Sequence, residues 1–338
     1  MSRFEYLYDK NGNVTDRTEP DGRYHFDYDP LNQLHLVTGP QEATQYDYDP
    51  AGNRNLKTVT RGQSVSRTQY VYDANNRLTS ESGPAGAKSY DKNGNLLADG
   101  PTAYHYDWLD RLTQVDLSPQ RHVAYQYDGD GLLATRMLDG VTTRYHYDRN
   151  QLYLETDGAD AVLARTLNAG GPLVRQVANQ PKANYIFDAH GDVRKLTDPT
   201  GQVKATYAYD AFGNPTAQTG ELSNPLRYAG YQWDADAGLY YLRSRFYQPA
   251  DGRFLTEDTW KGPLDKPWTQ NLYTYAGGNP ITYVDPTGHG VEEGCFGKNV
   301  TSCSGSGSGI STTAEGEIGE DPEMGKRQKV PTVTVRTA

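Results

Sequence analysis

Hydrophobic and polar residues alternate along this chain in short bursts, and each burst ends on an aspartate. Tyr46-Asp47-Tyr48-Asp49-Pro50-Ala51-Gly52-Asn53 and Tyr207-Ala208-Tyr209-Asp210-Ala211-Phe212-Gly213-Asn214 show the pattern, as does the run from Tyr104 through Asp107 to Leu112. Alternate aromatics place their rings on one face of a strand. The aspartate then opens a turn, its carboxylate accepting from backbone N–H groups two residues on. Gly or Asn follows where the turn requires φ > 0, and Leu, Arg or Val opens the return strand. Each unit is predicted to be a β-hairpin.

Besides Tyr46-Asp47, the Tyr-Asp pair recurs nine times at near-regular spacing, with its aspartates at 9, 29, 49, 73, 91, 107, 128, 148 and 210. Successive intervals are 20, 20, 24, 18, 16, 21, 20 and 62, and Phe187-Asp188 divides the last into 40 and 22. One hairpin alone cannot cover its apolar face. Stacked edge to edge, the hairpins extend a sheet and let their tyrosines form a ladder across strands. Strands of ~6 residues at ~3.3 Å each make that sheet ~20 Å wide, and strand twist curls it into a spiral or shell. The expected fold is all-β, stacked hairpins in a long curled sheet, with no substantial helix in residues 1–220. The repeat tyrosines and aspartates are read as structural, ring in the ladder and carboxylate in the turn.

Composition changes the character of the core. Leu, Ile, Val and Phe make up 57 of 338 residues, about 17%, below the ~20% where disorder becomes a live reading. The 27 tyrosines offset this, because each ring offers ~150–250 Å² together with a hydroxyl that needs a partner. A formal charge of −10 argues against binding a phosphate backbone as the main task. There is no run of 18 apolar residues, so no membrane span is expected, and Met1–Asn13 lacks the apolar stretch of a secretory signal. Cys295 and Cys303 stand apart from any second pair and read as incidental thiols. No cofactor and no metal site is expected.

Candidate chemistry lies further on. Arg243 and Arg245 fall in Leu-Arg-Ser-Arg-Phe-Tyr, where strand alternation would put both on one face. Asp258 ends Gly-Arg-Phe-Leu-Thr-Glu-Asp, and Asp285 begins Asp-Pro-Thr-Gly. On spacing alone these are charged residues near turns, solvated or in salt bridges. Asn271, Tyr273, Tyr275, Asn279 and Pro280 read as packing and turn residues. After Gly288 the composition shifts, with no Tyr or Trp beyond Tyr283 and a Ser-Gly run at 304–309. Residues 290–338 number 338 − 289 = 49, too few and too polar for an independent core. That tail is expected to be disordered.

The repeats resemble the YD repeats of RHS proteins. Residues 185–213 resemble the start, and 226–288 the end, of the RHS-repeat-associated core. The resemblance implies repeats over 1–184, a core domain over 185–288 and a variable tail over 289–338, in the position of a truncated or degenerate toxin. In that family the repeats wind into a hollow β-shell around a C-terminal toxin, and the core cuts its own chain just beyond Asp-Pro-x-Gly using two aspartates and an arginine. Residue by residue, these fall on Asp258, Asp285 and Arg245, and the cut falls at Gly288-His289-Gly290.

Two carboxylates held together cannot both ionise cheaply. One can activate water while the protonated partner polarises the carbonyl, with the arginine steadying the oxyanion. Three positions depart from the family. Thr259 replaces Pro, Gln248 replaces Asp, and His289 replaces the usual Leu, a poorer anchor for an apolar pocket. The implied function is encapsulation and delivery of a C-terminal toxin, with one self-cleavage beside His289.

Implied partners are the chain's own C-terminal segment, a secretion-spike protein such as those of type VI secretion, and a cognate immunity protein. The chain would be made in the bacterial cytoplasm and secreted or surface-displayed, and its opening inside a repeat suggests part of a longer polypeptide. Two alternatives stand beside this, a carbohydrate-binding surface module built on exposed tyrosines and an inactive displaced fragment. A nuclease in the last 49 residues is a third, with no catalytic constellation to support it.

Overall fold

The computed structural model describes residues 3–19, 22–83, 86–262, 267–293, 310–313 and 333–337. The aspartate turns form as their chemistry dictates. Asp49 Oδ1 accepts from the N–H groups of Ala51 and Asn53, each at 2.9 Å, and Oδ2 accepts from the Asn53 amide at 3.0 Å. The same pair of backbone bonds recurs at Asp9, Asp107 and Asp210. Three residues after the aspartate the backbone is left-handed, with φ of 77° at Gly52, 60° at Asn76 and 88° at Gly213; Asp148 is the exception, since it stays in its strand and pairs with Gln151 across a two-residue turn in which Arg149 takes φ of 56°. Gly and Asn tolerate that region best.

Tyrosine rather than phenylalanine precedes the aspartate for a reason the structure supplies. The Tyr48 hydroxyl donates to the carbonyl of Leu34 at 2.9 Å, Tyr127 to Leu112 at 2.6 Å and Tyr147 to Leu133 at 3.0 Å. In each case the acceptor is the residue that leaves the preceding turn. Each ring therefore fills the apolar face while its hydroxyl satisfies a carbonyl of the previous repeat, which fixes how repeats stack.

Consecutive strands pair antiparallel in two sheets. One runs from Arg3–Tyr8 to Leu78–Glu81 and the other from Lys88–Tyr90 to Pro215–Thr219. Among the described residues of the repeats the hydrogen-bond ladder is thus interrupted between Leu78–Glu81 and Lys88–Tyr90. Buried Lys88 spans this seam, 2.6 Å from Asp99 and 2.9 Å from Asp251. The second sheet passes residue 184 without a break. Among the described residues the helical turns are short 3₁₀ segments, the first at Tyr228–Gly230, and no helix is long and apolar enough to cross a membrane.

Residues 222–290 fold back over the apolar face of this wall. Phe4, Phe26 and Tyr46 pack with Phe212 and Ile281; Tyr104 and Tyr125 pack with Leu239, Phe246 and Leu255. These rings of the wall are therefore covered by the chain itself and do not form an exposed ladder. A small antiparallel sheet, Gln232–Asp234, Leu239–Leu242, Arg245–Gln248 and Arg253–Phe254, organises the covering segment. Of the tail, residues 289–293, Ile310–Thr313 and Val333–Thr337 are described: Glu292–Glu293 pairs with Tyr283–Val284, Val333–Thr337 pairs with Arg3–Tyr8, and Ile310–Thr313 pairs with Val333–Thr337, so these stretches are strands where disorder was expected. The expected disorder of its remainder, and both cysteines, lie outside the described residues.

Candidate functional site

Arg245 opens the strand Arg245–Gln248. Leu242 pairs with Arg245, so Arg243 and Ser244 form a two-residue hairpin turn and Arg243 takes φ of 64°. The expectation that Arg243 and Arg245 share a strand face is therefore wrong, because the alternation stops at a turn whose chemistry Arg-Ser does not announce. Arg245 itself points inward, its guanidinium 3.6 Å from the Phe254 ring centroid.

The guanidinium ties three segments together. One Nη donates to Asp258 Oδ2 at 2.7 Å and lies 3.7 Å from Asp285 Oδ2, and the other donates to the Leu272 carbonyl at 2.8 Å. Nε donates to the Gly288 carbonyl. Burial pulls Arg245 down to about 10, opposed by Asp258 and Asp285, and it stays cationic at neutral pH. Asp258 is fixed by its own N–H, which donates to the Leu272 carbonyl at 3.0 Å, and accepts from the Trp260 N–H at 2.9 Å.

Asp285 holds the far side. Its Oδ1 accepts from the N–H groups of Gly288, His289 and Gly290 at 2.8, 3.1 and 3.1 Å. Burial raises the Asp285 carboxyl above its ordinary range, against the pull of those amides and of Arg245. Gly288 has φ of 76°, and a side chain there would meet Ser244 Oγ at 2.5 Å and the Leu242 carbonyl at 2.8 Å. Only glycine lets the 287–290 segment lie this close to the hairpin.

All six residues singled out in the sequence thus converge: Arg245, Asp258, Asp285, Gly288, His289 and Gly290. Of the departures, Gln248 donates to Asp99 across to the wall at 3.1 Å, and His289 Nδ1 lies 3.0 Å from Asp258 Oδ1. His289 is not seated as an apolar anchor. Sequence reasoning missed Tyr231, whose hydroxyl accepts from the Asp285 N–H at 2.8 Å and lies 3.0 Å from the Tyr275 hydroxyl. It also missed Phe254 beneath the guanidinium. Neither belongs to a periodic pattern, and no local signal marks them. Among the described residues no group of three or more His, Cys, Asp or Glu could hold a metal.

The family described as Teneurin YD-shell matches residues 2–281. The tRNA nuclease WapA of Bacillus subtilis (strain 168) is 37% identical over 248 residues, 71% of this chain and 10% of that protein. The toxin protein Tse5 of Pseudomonas aeruginosa is 28% identical over 256 residues, 68% of this chain and 19% of its own length. The chain therefore spans about a tenth of the WapA relatives it matches. A crystal structure of TcdB2-TccC3 shares the fold, with a TM-score of 0.71 at 22% identity over 85% of this chain and 17% of that one.

Proposed function

The chain belongs to the Teneurin YD-shell family, and on that footing we propose that it is a wall that encloses and delivers its own C-terminal segment, which it cuts free once beside His289. In this reading residues 1–184 are repeats, 185–288 are the core that covers and cuts, and 289–338 is the passenger. The observation that carries it is the buried arrangement of Arg245, two carboxylates and the 288–290 backbone in one place. A structural salt bridge has no need to grip the backbone just beyond Asp-Pro-Thr-Gly.

Asp258, the carboxylate paired with Arg245, takes a proton from a solvent water as that water attacks the carbonyl carbon. Arg245 steadies the negative charge that develops on the carbonyl oxygen. The products are one carboxylate and one amine. Arg245 holds the Gly288 carbonyl and Asp285 the Gly290 amide, so both bonds flanking His289 lie within the group's reach.

Expression of the full chain followed by intact-mass measurement over days tests this. Wild type should convert to two fragments whose masses name the bond cut, and Asp285→Asn should remain whole. A wild-type chain that stays at full mass overturns the reading. Export by a secretion spike and neutralisation by an immunity protein belong to the same proposal.

A further inference from the structure

His289 is the residue in which this site departs most from its family, and its side chain has a definite address. Its Nδ1 lies 3.0 Å from Asp258 Oδ1, while Asp258 Oδ2 is held by Arg245. The ring is 41% exposed against 11% for Asp258 and 5% for Arg245, so it sits at the mouth of the site and reaches in. The backbone N–H of the same residue donates to Asp285 at 3.1 Å. One residue of the segment to be cut therefore touches both carboxylates, one through its side chain and one through its amide.

Resting on the self-cleavage reading, we infer that His289 is a positioning residue for that reaction. Its Nδ1–H donates to Asp258, and this bond sets the scissile segment in register between the two acids. An apolar anchor would do this by filling a pocket. Here the segment is read by a hydrogen bond to a carboxylate, a stronger contact than a neutral one and one that demands a donor two bonds from Cβ. Asn supplies such a donor at that distance, and Leu fills similar space without one. The bond does no proton transfer. It fixes where the neighbouring peptide lies, and misplacement by about an ångström can slow a reaction by ~10²-fold. The charged group against the ring is Asp258, whose other oxygen is held by Arg245.

The experiment follows single-turnover cleavage in the full chain by intact mass, comparing wild type with His289→Leu, His289→Ala and His289→Asn. Leu and Ala should cut roughly 10- to 100-fold more slowly, the range for losing a hydrogen bond to a charged group. Asn should restore the rate to within a few-fold. Leu or Ala cutting at the wild-type rate overturns the inference. The bond is read separately in intact Asp285→Asn protein by long-range nitrogen–proton NMR of the imidazole, its signal assigned by the loss in His289→Asn.

His289 should carry its proton on Nδ1, reverting to Nε2 when Asp258→Asn is added. A ring already protonated on Nε2 and unmoved by Asp258→Asn overturns the inference even if cleavage occurs. A wild-type chain that never cuts removes the reaction and His289's part in it, whereas the tautomer still shows whether the bond exists. The two failures are thus told apart.

Discussion

The wall and the segment folded over it are built from the same residue types, yet satisfy their polar groups at different ranges. In the wall, Asp49 bonds to Ala51 and Asn53, and Tyr48 bonds to Leu34, all within a repeat or its neighbour. In the covering segment, Tyr273 donates to the Gly94 carbonyl, Tyr240 to that of Gly213 and Arg253 to Asn53 Oδ1. Asp234 accepts from Tyr125 and from both arms of Arg136. The wall's turns and the hydroxyls of its tyrosine ladder are satisfied locally, and the segment is specified by the wall. A repeat can therefore be recognised from twenty residues, whereas the segment's side chains make sense only once the wall exists.

The largest expected effect comes at Phe212, a wall residue at which the first sheet, the second sheet and Gly252 of the segment meet. Phe212, two residues after Asp210, is buried against Tyr46 at 5.1 Å between centroids, with the Arg54 guanidinium 4.9 Å from its ring. Its carbonyl accepts from Tyr247 of the segment at 2.7 Å. Phe212→Ala should cost about 3–5 kcal/mol through the cavity it leaves, measured as a fall in urea midpoint at unchanged slope. A loss below about 1 kcal/mol would mean that segment and wall are not one cooperative unit.

A second break of the comparison uses pH. His190 lies buried in the degenerate turn at Asp188, its Nδ1 2.8 Å from Asp192 Oδ1, while Asp192 also accepts from the Ala229 N–H of the segment at 2.8 Å. Burial disfavours the imidazolium, but Asp192 and Asp188 outweigh it and raise His190 above the ordinary imidazole range. Asp188 is raised too, by burial and then by Asp192. The folded chain thus binds these protons more tightly than the unfolded chain. The stability they contribute is present at lower pH and lost as pH rises through their folded values. The urea midpoint should fall between about pH 6 and about pH 8, and His190→Asn should flatten that slope. A midpoint that rises across the window would reverse the assigned sign.

Within the wall the effects shrink. Tyr48→Phe removes one hydroxyl and leaves the Leu34 carbonyl without that donor, an expected cost of about 0.5–1.5 kcal/mol. Equal midpoints for Tyr48→Phe and wild type would mean that the bond to Leu34 is not what selects tyrosine at this place in the repeat.

These contrasts also explain what could be read in advance. Hairpins, aspartate turns and left-handed third positions follow from alternation and turn chemistry and were legible, save at Asp148, where the strand runs through the aspartate to a two-residue turn at Arg149-Asn150. The break between Glu81 and Lys88 was not foreseen, and the ion pair of Lys88 with Asp251 beside it was invisible because it joins residues far apart in the chain. At the site, Arg245, Asp258 and Asp285 were found through the resemblance, since spacing alone shows only charges near turns. Arg243 was misplaced because alternation was carried through a hairpin turn. Tyr231 went unseen because its hydroxyl acts on the Asp285 amide 54 residues away. The contact between His289 and Asp258 went unseen because only the hairpin at 243–244, with Gly288 laid against it, brings that ring to the carboxylate.

The smallest effect is the sharpest control, because it repeats the first experiment at the same place in another repeat. Leu109 stands two residues after Asp107, as Phe212 stands two after Asp210, and its N–H likewise donates to its aspartate at 2.9 Å. Leu109 is instead 49% exposed beside Trp108 at 86%. If burial where the sheets and the segment meet accounts for the cost at Phe212, then Leu109→Ala, which keeps the turn's backbone bonds, should change stability by no more than about 0.5 kcal/mol. A cost at Leu109 comparable to that at Phe212 would place the energy in the turn itself, and the distinction between locally satisfied turns and a wall-specified segment would fail at its simplest point.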